Sequence, residues 1–235
     1  MISFIVPAYN EELELSSTIA AITAAASGAA KPHEIIVVND ASTDLTAEIA
    51  EMSGARVITI NRRQIAAARN AGACAAKGQY LFFVDADTRI SQAHVVEGIA
   101  VLEAGYAGGS ARATMNGFIP LWGRIFVRFF CTLYFGLNLG AGAFLFTTRR
   151  NFDAIGGFDE KYFVGEEVYF SLALKKLGRF KVLRDPILTS GRKLRMYSAR
   201  RVLSRMLRLI VGGPIAARSR DNLDLWYDGK RETSL

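Results

Sequence analysis

The stretch Tyr80 to Thr88, YLFFVDADT, decides how this chain folds. Tyr80, Leu81, Phe82, Phe83 and Val84 form a short apolar, aromatic and β-branched run, the pattern of a fully buried strand. That run stops at Asp85-Ala86-Asp87. Two carboxylates at the end of a buried strand are costly to place unless a cation meets them. In open α/β sheets the crevice beyond the strand ends is where ligands bind. A divalent cation carrying a diphosphate would satisfy both, because magnesium sites use one or two carboxylates plus substrate phosphates. The tripeptide alone equally fits a plainer role, with Asp85 ending the strand and Asp87 capping the next turn, since Asp is a common turn residue.

Upstream, the same grammar repeats. Ile2 to Val6 reads as a strand closed by Pro7, and Asn10 as an N-cap with Glu11 and Glu12 in the first turn of a helix. Glu34 to Val38 and Arg56 to Ile60 read as strands, separated by an amphipathic helix through Leu45, Ile49 and Met52. An alanine-rich helix follows from Gln64 to Lys77. Strands alternating with helices at this interval predict right-handed βαβ units and a mostly parallel sheet with flanking helices. The polar clusters Tyr9-Asn10-Glu11, Asn39-Asp40 and Asp85 to Asp87 then share one sheet edge and outline a nucleotide-sized crevice. No Gly-x-Gly-x-x-Gly follows the first strand and no Walker lysine motif is present, so a metal is needed to meet the phosphates.

The chain has 235 residues, 51% of them apolar, enough to build one large α/β domain or two small ones. Cys74 and Cys131 are expected to be buried or partly buried free thiols in a reducing compartment. Only two histidines occur, His33 and His94, and both read as structural or solvated. The start, MISFIVPAYN, lacks a charged n-region or cleavage site, so an exported precursor is not expected. Asp228 to Leu235 reads as a short disordered tail. The net charge of +7 gathers after Arg112, above all between Lys175 and Arg220, and suits a phosphate partner on a nucleotide or a membrane lipid.

Three stretches, IVPAYNEE, IIVVNDASTDLT and AAARNAGACAAKGQYLFFVDADT, resemble the N-terminal half of the family 2 glycosyltransferases with the GT-A fold. A fourth, GAGAFLFTTRRNFDAIGGFDEKYFVGEEVYFSLALKKLGRF, resembles that family's acceptor half. The resemblance covers roughly Met1 to Phe180. It implies that Pro7, Tyr9 and Glu11 line the base and ribose, and that Asp40 reads the base, most often uracil. It further implies that Asp85 lies nearer the ribose while Asp87 holds Mn²⁺ or Mg²⁺ on the diphosphate. Arg69 falls in the family's ARN-like segment, where it fits a donor contact or a helix-surface residue equally.

Residues Phe118 to Phe146 are hydrophobic enough to raise a membrane span, but Arg124 and Arg128 argue against one. They share a helix face, with Trp122, Ile125, Phe126, Phe129 and Phe130 filling much of the rest. That helix fits either a membrane interface or the protein core with two arginine heads in solvent. Gly140 to Thr148 reads as a strand, and Gly165-Glu166-Glu167 opens a helix continuing through Leu177. Acids in a first helical turn are ordinary dipole partners. The family resemblance implies a Glu-Asp pair here with the second acid as catalytic base. This chain carries Glu167 in that place, so Glu167 is the expected base with Glu166 in reserve. Arg179 to Leu183 and Ile187 to Gly191 read as extended, and Gly191-Arg192-Lys193 as a basic loop able to close over a diphosphate. The last helix, Ser198 to Val211, is basic and amphipathic, fitting an anionic membrane surface or a docked helix with snorkelling arginines.

The expected organisation is a catalytic domain over 1–190, with a nucleotide-binding half (1–104) and an acceptor half (105–190), and a basic helical extension over 191–235. The expected function is an inverting, metal-dependent transfer of one sugar from a nucleotide-diphosphate donor, UDP-linked in the leading form, to a saccharide or lipid-linked hydroxyl. A cytoplasmic protein, peripheral at the inner face of the membrane, fits that reading. A catalytically silent nucleotide-sugar-binding or membrane-associated module of the same fold is the alternative. A nucleotidyltransferase is disfavoured because the loop after the first strand is acidic rather than basic and glycine-rich. No stacking aromatic platform accompanies the arginines, so nucleic acid is not an expected partner.

Overall fold

The computed structural model describes residues 1–220 and 223–227, apart from the side chains of Phe129, Phe130, Thr132, Leu133, Asp224 and Trp226. The tail expected over Asp228 to Leu235, and the placement of the Phe129 and Phe130 rings, lie outside the described residues. The chain opens with β1 (Ile2–Ala8), α1 (Leu15–Ser27), β2 (His33–Asp40), α2 (Thr46–Met52) and β3 (Arg56–Ile60). It continues with α3 (Ile65–Ala75), β4 (Tyr80–Val84), a two-residue β5 (Thr88–Arg89) and α4 (Gln92–Glu103). The second half supplies β6 (Gly108–Asn116), α5 (Leu121–Gly136), β7 (Phe144–Thr148), α6 (Arg149–Ile155), α7 (Glu166–Leu177) and β8 (Phe180–Ser190). Among the described residues three further helices follow, α8 (Arg192–Met196), α9 (Ala199–Arg218) and α10 (Asp224–Tyr227).

All eight strands join one sheet in the order β3-β2-β1-β4-β7-β6-β8-β5. The β3, β2, β1 and β4 strands run parallel, as their helical crossovers require. Past β4 the sheet turns mixed, because β7 enters antiparallel to both β4 and β6. Successive residues of β4 face opposite sides of the sheet, so Phe82 and Phe83 seed two different cores. Phe82 joins Phe4, Phe144 and Phe146 beneath α1 and α4, while Phe83 joins Phe158, Phe170 and Leu145 beneath α3, α6 and α7. A third, smaller cluster joins α8 and α9 to α5 through Leu194, Tyr197, Val202, Trp122 and Phe126.

Several boundaries differ from the sequence reading for local reasons. Asn10 does not cap α1, which starts only at Leu15. Asn10 takes a left-handed conformation (φ 51°), its N–H donates to Ser42 Oγ, and its Oδ1 accepts from Thr43 N. The loops after β1 and β2 are thus stitched to each other rather than each to its own helix. The strand expected from Gly140 begins at Phe144, because Gly140 to Ala143 bends around Ser110, whose Oγ accepts from Ala141 N. The segments from Arg179 and from Ile187 are one continuous strand. The basic helix expected over Ser198 to Val211 is α9, which runs on to Arg218 through a break at Gly213 (φ 50°) before Pro214. Cys74 is exposed rather than buried, on the outer side of α3, and Cys131 is partly buried. His94 is structural, its Nδ1 accepting from Ser91 N at the start of α4.

Candidate active site

The parallel strands deliver their carboxyl ends to one edge, and there Pro7, Tyr9, Glu11, Asp40, Arg69, Asp85, Asp87, Glu166 and Glu167 all line one cavity of about 270 Å³. The side chains singled out in the sequence are therefore ones that the fold brings together, from strand ends and from the starts of helices.

Asp40 at the end of β2 is buried and organises the floor. Its Oδ1 accepts from the backbone N–H groups of Arg62 (2.7 Å) and Arg63 (2.8 Å), and its Oδ2 from Gln64 N (2.7 Å). Gln64 is the N-cap residue of α3 and Arg62 and Arg63 precede it, so the carboxylate fixes the turn by which the chain enters that helix. Three of its roughly four lone-pair positions are used, leaving one on Oδ2. Beside it the Arg63 guanidinium lies over the Tyr9 ring, 3.5 Å from its centroid.

Arg69 proves to be no helix-surface residue. Its side chain is 1% exposed and it forks between three acceptors. Nη1 donates to Glu166 Oε1 (2.7 Å), while Nη2 donates to Asp85 Oδ1 (2.9 Å) and the Gly142 carbonyl (2.8 Å). The ring of Phe158 lies 5.2 Å from the guanidinium carbon. One cation thus joins the α3 helix, the end of β4, the turn before β7 and the start of α7. Burial, opposed in part by Arg69, pushes the Asp85 carboxyl above the usual range.

Glu166 and Glu167, adjacent in sequence, have different surroundings. Glu166 is buried and committed to Arg69. Glu167 is half-buried on the cavity wall, and its carboxyl is pushed up to about 8 by burial and by the neighbouring Glu166 charge. A carboxyl near neutral pH in a cleft is matched to proton transfer. Tyr134 of α5 faces it from the far side, its hydroxyl donating to the Gly140 carbonyl (2.9 Å).

Asp87 sits where β5 and β8 meet. The ladder sets Thr88 opposite Thr189, and their hydroxyls lie 3.1 Å apart. This pairing brings the start of α8 to the crevice, so that Arg192 Nη2 lies 3.3 Å from Asp87 Oδ2. Among the described residues no group of three or more His, Cys, Asp or Glu side chains is arranged to hold a metal. The donor set present, Asp87 with the remaining oxygen of Asp85, fits a hard divalent cation whose other ligands are diphosphate oxygens.

Residues 3–153 match the family described as glycosyl transferase family 2, well over half of the chain. The chain belongs to that family. The glycosyltransferase EpsJ of Bacillus subtilis is 37% identical over 98 residues, a match spanning 40% of this chain and 28% of that relative's own length. The chain therefore spans less than a third of that curated relative. Among solved structures, S. aureus TarS 1–349 in complex with UDP-GlcNAc superposes with a TM-score of 0.63 at 19% identity, covering 95% of this chain and 69% of that one. The mannosyltransferase PcManGT of Pyrobaculum calidifontis, in complex with GDP-Man and Mn²⁺, gives 0.64 at 18% identity over 97% and 73%. These likenesses establish the GT-A fold of this family 2 member.

Some of the cavity's lining was not singled out by the sequence reading. Arg63, Gln64, Phe163 and Tyr227 line it too. Arg63 had a signal, because Asn61 to Gln64 is a polar run at the end of β3 on the same edge. Tyr227 had none. It arrives by a return of the chain after α9, tied down by a hydrogen bond from its hydroxyl to the Phe163 carbonyl (2.5 Å). No described helix is long and apolar enough to cross a membrane.

Proposed function

We propose that this family 2 member transfers one sugar from a nucleotide-diphosphate donor to an acceptor hydroxyl, with inversion and with the help of a divalent cation. The observation that carries the proposal is the convergence, in one cavity, of the Asp85–Asp87 pair with a glutamate whose pKa is raised toward neutrality. Solved neighbours with nucleotide sugars and Mn²⁺ support it. The donor's base is assigned to the Tyr9 and Asp40 end. The lone pair left on Asp40 Oδ2 suits an imide N–H, which favours uracil, and Pro7 and Glu11 flank the ribose. Asp87, with Asp85, would hold Mn²⁺ or Mg²⁺. Such a cation acts as a Lewis acid that stabilises charge on the departing diphosphate.

Glu167 is proposed as the base that takes the proton from the acceptor hydroxyl as its oxygen attacks the anomeric carbon. Glu166 is not free for that role, because its carboxylate holds Arg69 in place. A single displacement inverts the anomeric centre, so an α-linked donor gives a β-linked product. The catalytic unit is assigned to 1–190 with its nucleotide-binding and acceptor halves, and the helices from 191 onward are an extension that also contributes to the cavity. The acceptor is proposed to be a saccharide or lipid-linked hydroxyl presented at an anionic membrane surface, because α9 leaves an apolar stripe exposed beside its arginines. Two free cysteines suit the reducing cytoplasm.

Calorimetry with UDP, GDP, CDP and dTDP, in Mn²⁺ and then in EDTA, tests the proposal. Tight binding of one nucleotide, lost in EDTA, is expected. Absence of binding by all four under both conditions would overturn it, and binding without turnover over a panel of sugars and acceptors would favour the catalytically silent module.

A further inference from the structure

Arg192 stands apart from the other arginines of the C-terminal helices because its side chain is only 12% exposed and lines the donor crevice. It makes a two-pronged pair with Glu11, Nη1 to Oε2 at 2.7 Å and Nη2 to Oε1 at 2.5 Å. Its contact with Asp87 is single and longer, 3.3 Å. The backbone before it is closely packed. A Cβ on Gly191 would stand 2.8 Å from the Asn116 carbonyl oxygen, so the chain passes closer to β6 than a side chain allows. The same carbonyl accepts from Arg195 Nη1 at 3.1 Å. Leu194, two residues further on, is buried in the cluster under α5 and α9. Arg192 is therefore aimed at Glu11 and Asp87 by the β8–α8 turn.

Glu11 and Asp87 are two of the carboxylates assigned above to the ribose and to the metal. A guanidinium seated on them occupies the position where cationic charge is needed when the donor is present. Charge-assisted bonds are strongest when short and forked, so the grip on Glu11 outlasts the single long contact with Asp87. A diphosphate, with several acceptor oxygens, offers a guanidinium a better second partner than one carboxylate oxygen does.

Building on the proposed donor site, we infer that Arg192 is the resident counter-cation of the crevice: it competes with a divalent cation for Asp87 when no nucleotide is bound, and transfers to the diphosphate when the donor enters. Metal alone then binds weakly, since it must displace the guanidinium from Asp87. Metal and nucleotide together bind well, because the diphosphate takes over Arg192 as Asp87 takes the metal. The two ligands are thereby coupled, and the coupling is reciprocal.

The test is Mn²⁺ affinity of the nucleotide-free protein, measured by electron paramagnetic resonance, and affinity for the best-bound of UDP, GDP, CDP and dTDP at saturating Mn²⁺, measured by calorimetry. Arg192→Gln is expected to raise the first and lower the second, each by roughly tenfold, within the ordinary range of coupling between sites. Arg192→Lys keeps the charge without the fork and should fall between, and thermal melts of both variants report that they fold. A structural role alone would weaken both affinities or neither. Mn²⁺ affinity unchanged or lowered in Arg192→Gln overturns the inference, as does unchanged nucleotide affinity. If the wild type binds no nucleotide, it is the donor-site reading that fails, and the Mn²⁺ comparison still decides the competition at Asp87.

Discussion

Arg69 Nη1 donates to Glu166 Oε1 across 2.7 Å, and the two side chains are 1% and 5% exposed. A buried pair of this kind is weak grounds for stability by itself, but removing one partner leaves an uncompensated charge. Arg69→Met should therefore destabilise the fold by about 3–5 kcal/mol in urea denaturation. Adding Glu166→Gln to that variant should restore part of the loss, since the more deeply buried of the two stranded carboxylates is gone while Asp85 still lacks its cation. A loss under about 1 kcal/mol for the single variant, the scale of ordinary substitutions, would show that the pair does not organise the site.

Glu167 gives the pH dependence its sign. Burial and the adjacent Glu166 raise its carboxyl to about 8, and a base acts only when deprotonated. kcat/KM should therefore climb with pH along a limb centred near that value. Glu167→Gln should remove the limb and lower kcat by roughly 100- to 10,000-fold, the range of general-base contributions, with donor affinity near wild type. Stability should run the other way. A carboxyl with a raised folded pKa retains its proton in the fold after the unfolded chain has lost it. Its contribution is full below the unfolded pKa of about 4.3 and declines until pH passes the folded value. Melting temperatures of Glu167→Gln should thus fall less than those of the wild type between these limits. Near-normal turnover in that variant would end the base assignment.

Much of this site is legible in the amino-acid sequence, and the reason is local. Each of Tyr9, Asp40 and Asp85 closely follows an apolar run, and the βαβ rule places all such ends on one edge. Arg69 could not be resolved in this way. Its spacing within an alanine-rich helix fits surface or core, and its burial depends on Glu166 arriving from 97 positions away. The same holds for Tyr227, which reaches the crevice only through the return after α9. Arg192 is expected beside a diphosphate from the charge of its loop, but its pairing with Glu11 and Asp87 depends on the β5–β8 ladder. The misplaced start of α1 has a different origin. Asn10 is a good cap by composition, but the loop after β2 offers its backbone and side chain partners that a helix start would have to forgo.

The two aspartates should separate under substitution. Asp87→Asn leaves every acceptor of Arg69 in place, so its stability should stay near wild type while Mn²⁺-dependent nucleotide affinity falls by tenfold or more, on the order of one lost charge-assisted contact. Asp85→Asn removes a charge from Arg69 as well, and should lower both nucleotide affinity and melting temperature. Calorimetry beside thermal melts distinguishes these patterns. Unchanged affinity and unchanged metal response in Asp87→Asn would mean that this carboxylate does not hold the cation.

The α9 helix carries more apolar surface than the domain covers. Val202 and Met206 pack inward with α5 and α8. The next stripe around the helix, Leu203, Leu207, Ile210 and Val211, stays 45%, 61%, 69% and 79% exposed. Arg200, Arg201, Arg205 and Arg208 fill the rest of the circumference, and no Asp or Glu occurs between Gly191 and Arg220. On neighbouring α5, Leu121 and Ile125 are also exposed, beside Arg124. Exposed apolar side chains flanked by positive charge alone suit the headgroup region of an anionic bilayer. The protein should therefore sediment with equimolar phosphatidylcholine–phosphatidylglycerol vesicles at low salt, and much less with phosphatidylcholine alone or at high ionic strength, where screening weakens the attraction. Leu207→Glu with Ile210→Glu should abolish sedimentation while nucleotide binding persists, since neither residue lines the crevice. If the wild type stays in the supernatant with anionic vesicles at low salt, the stripe does not meet a membrane. A concentration-dependent mass increase that the same two substitutions remove would assign it instead to a second copy of the chain.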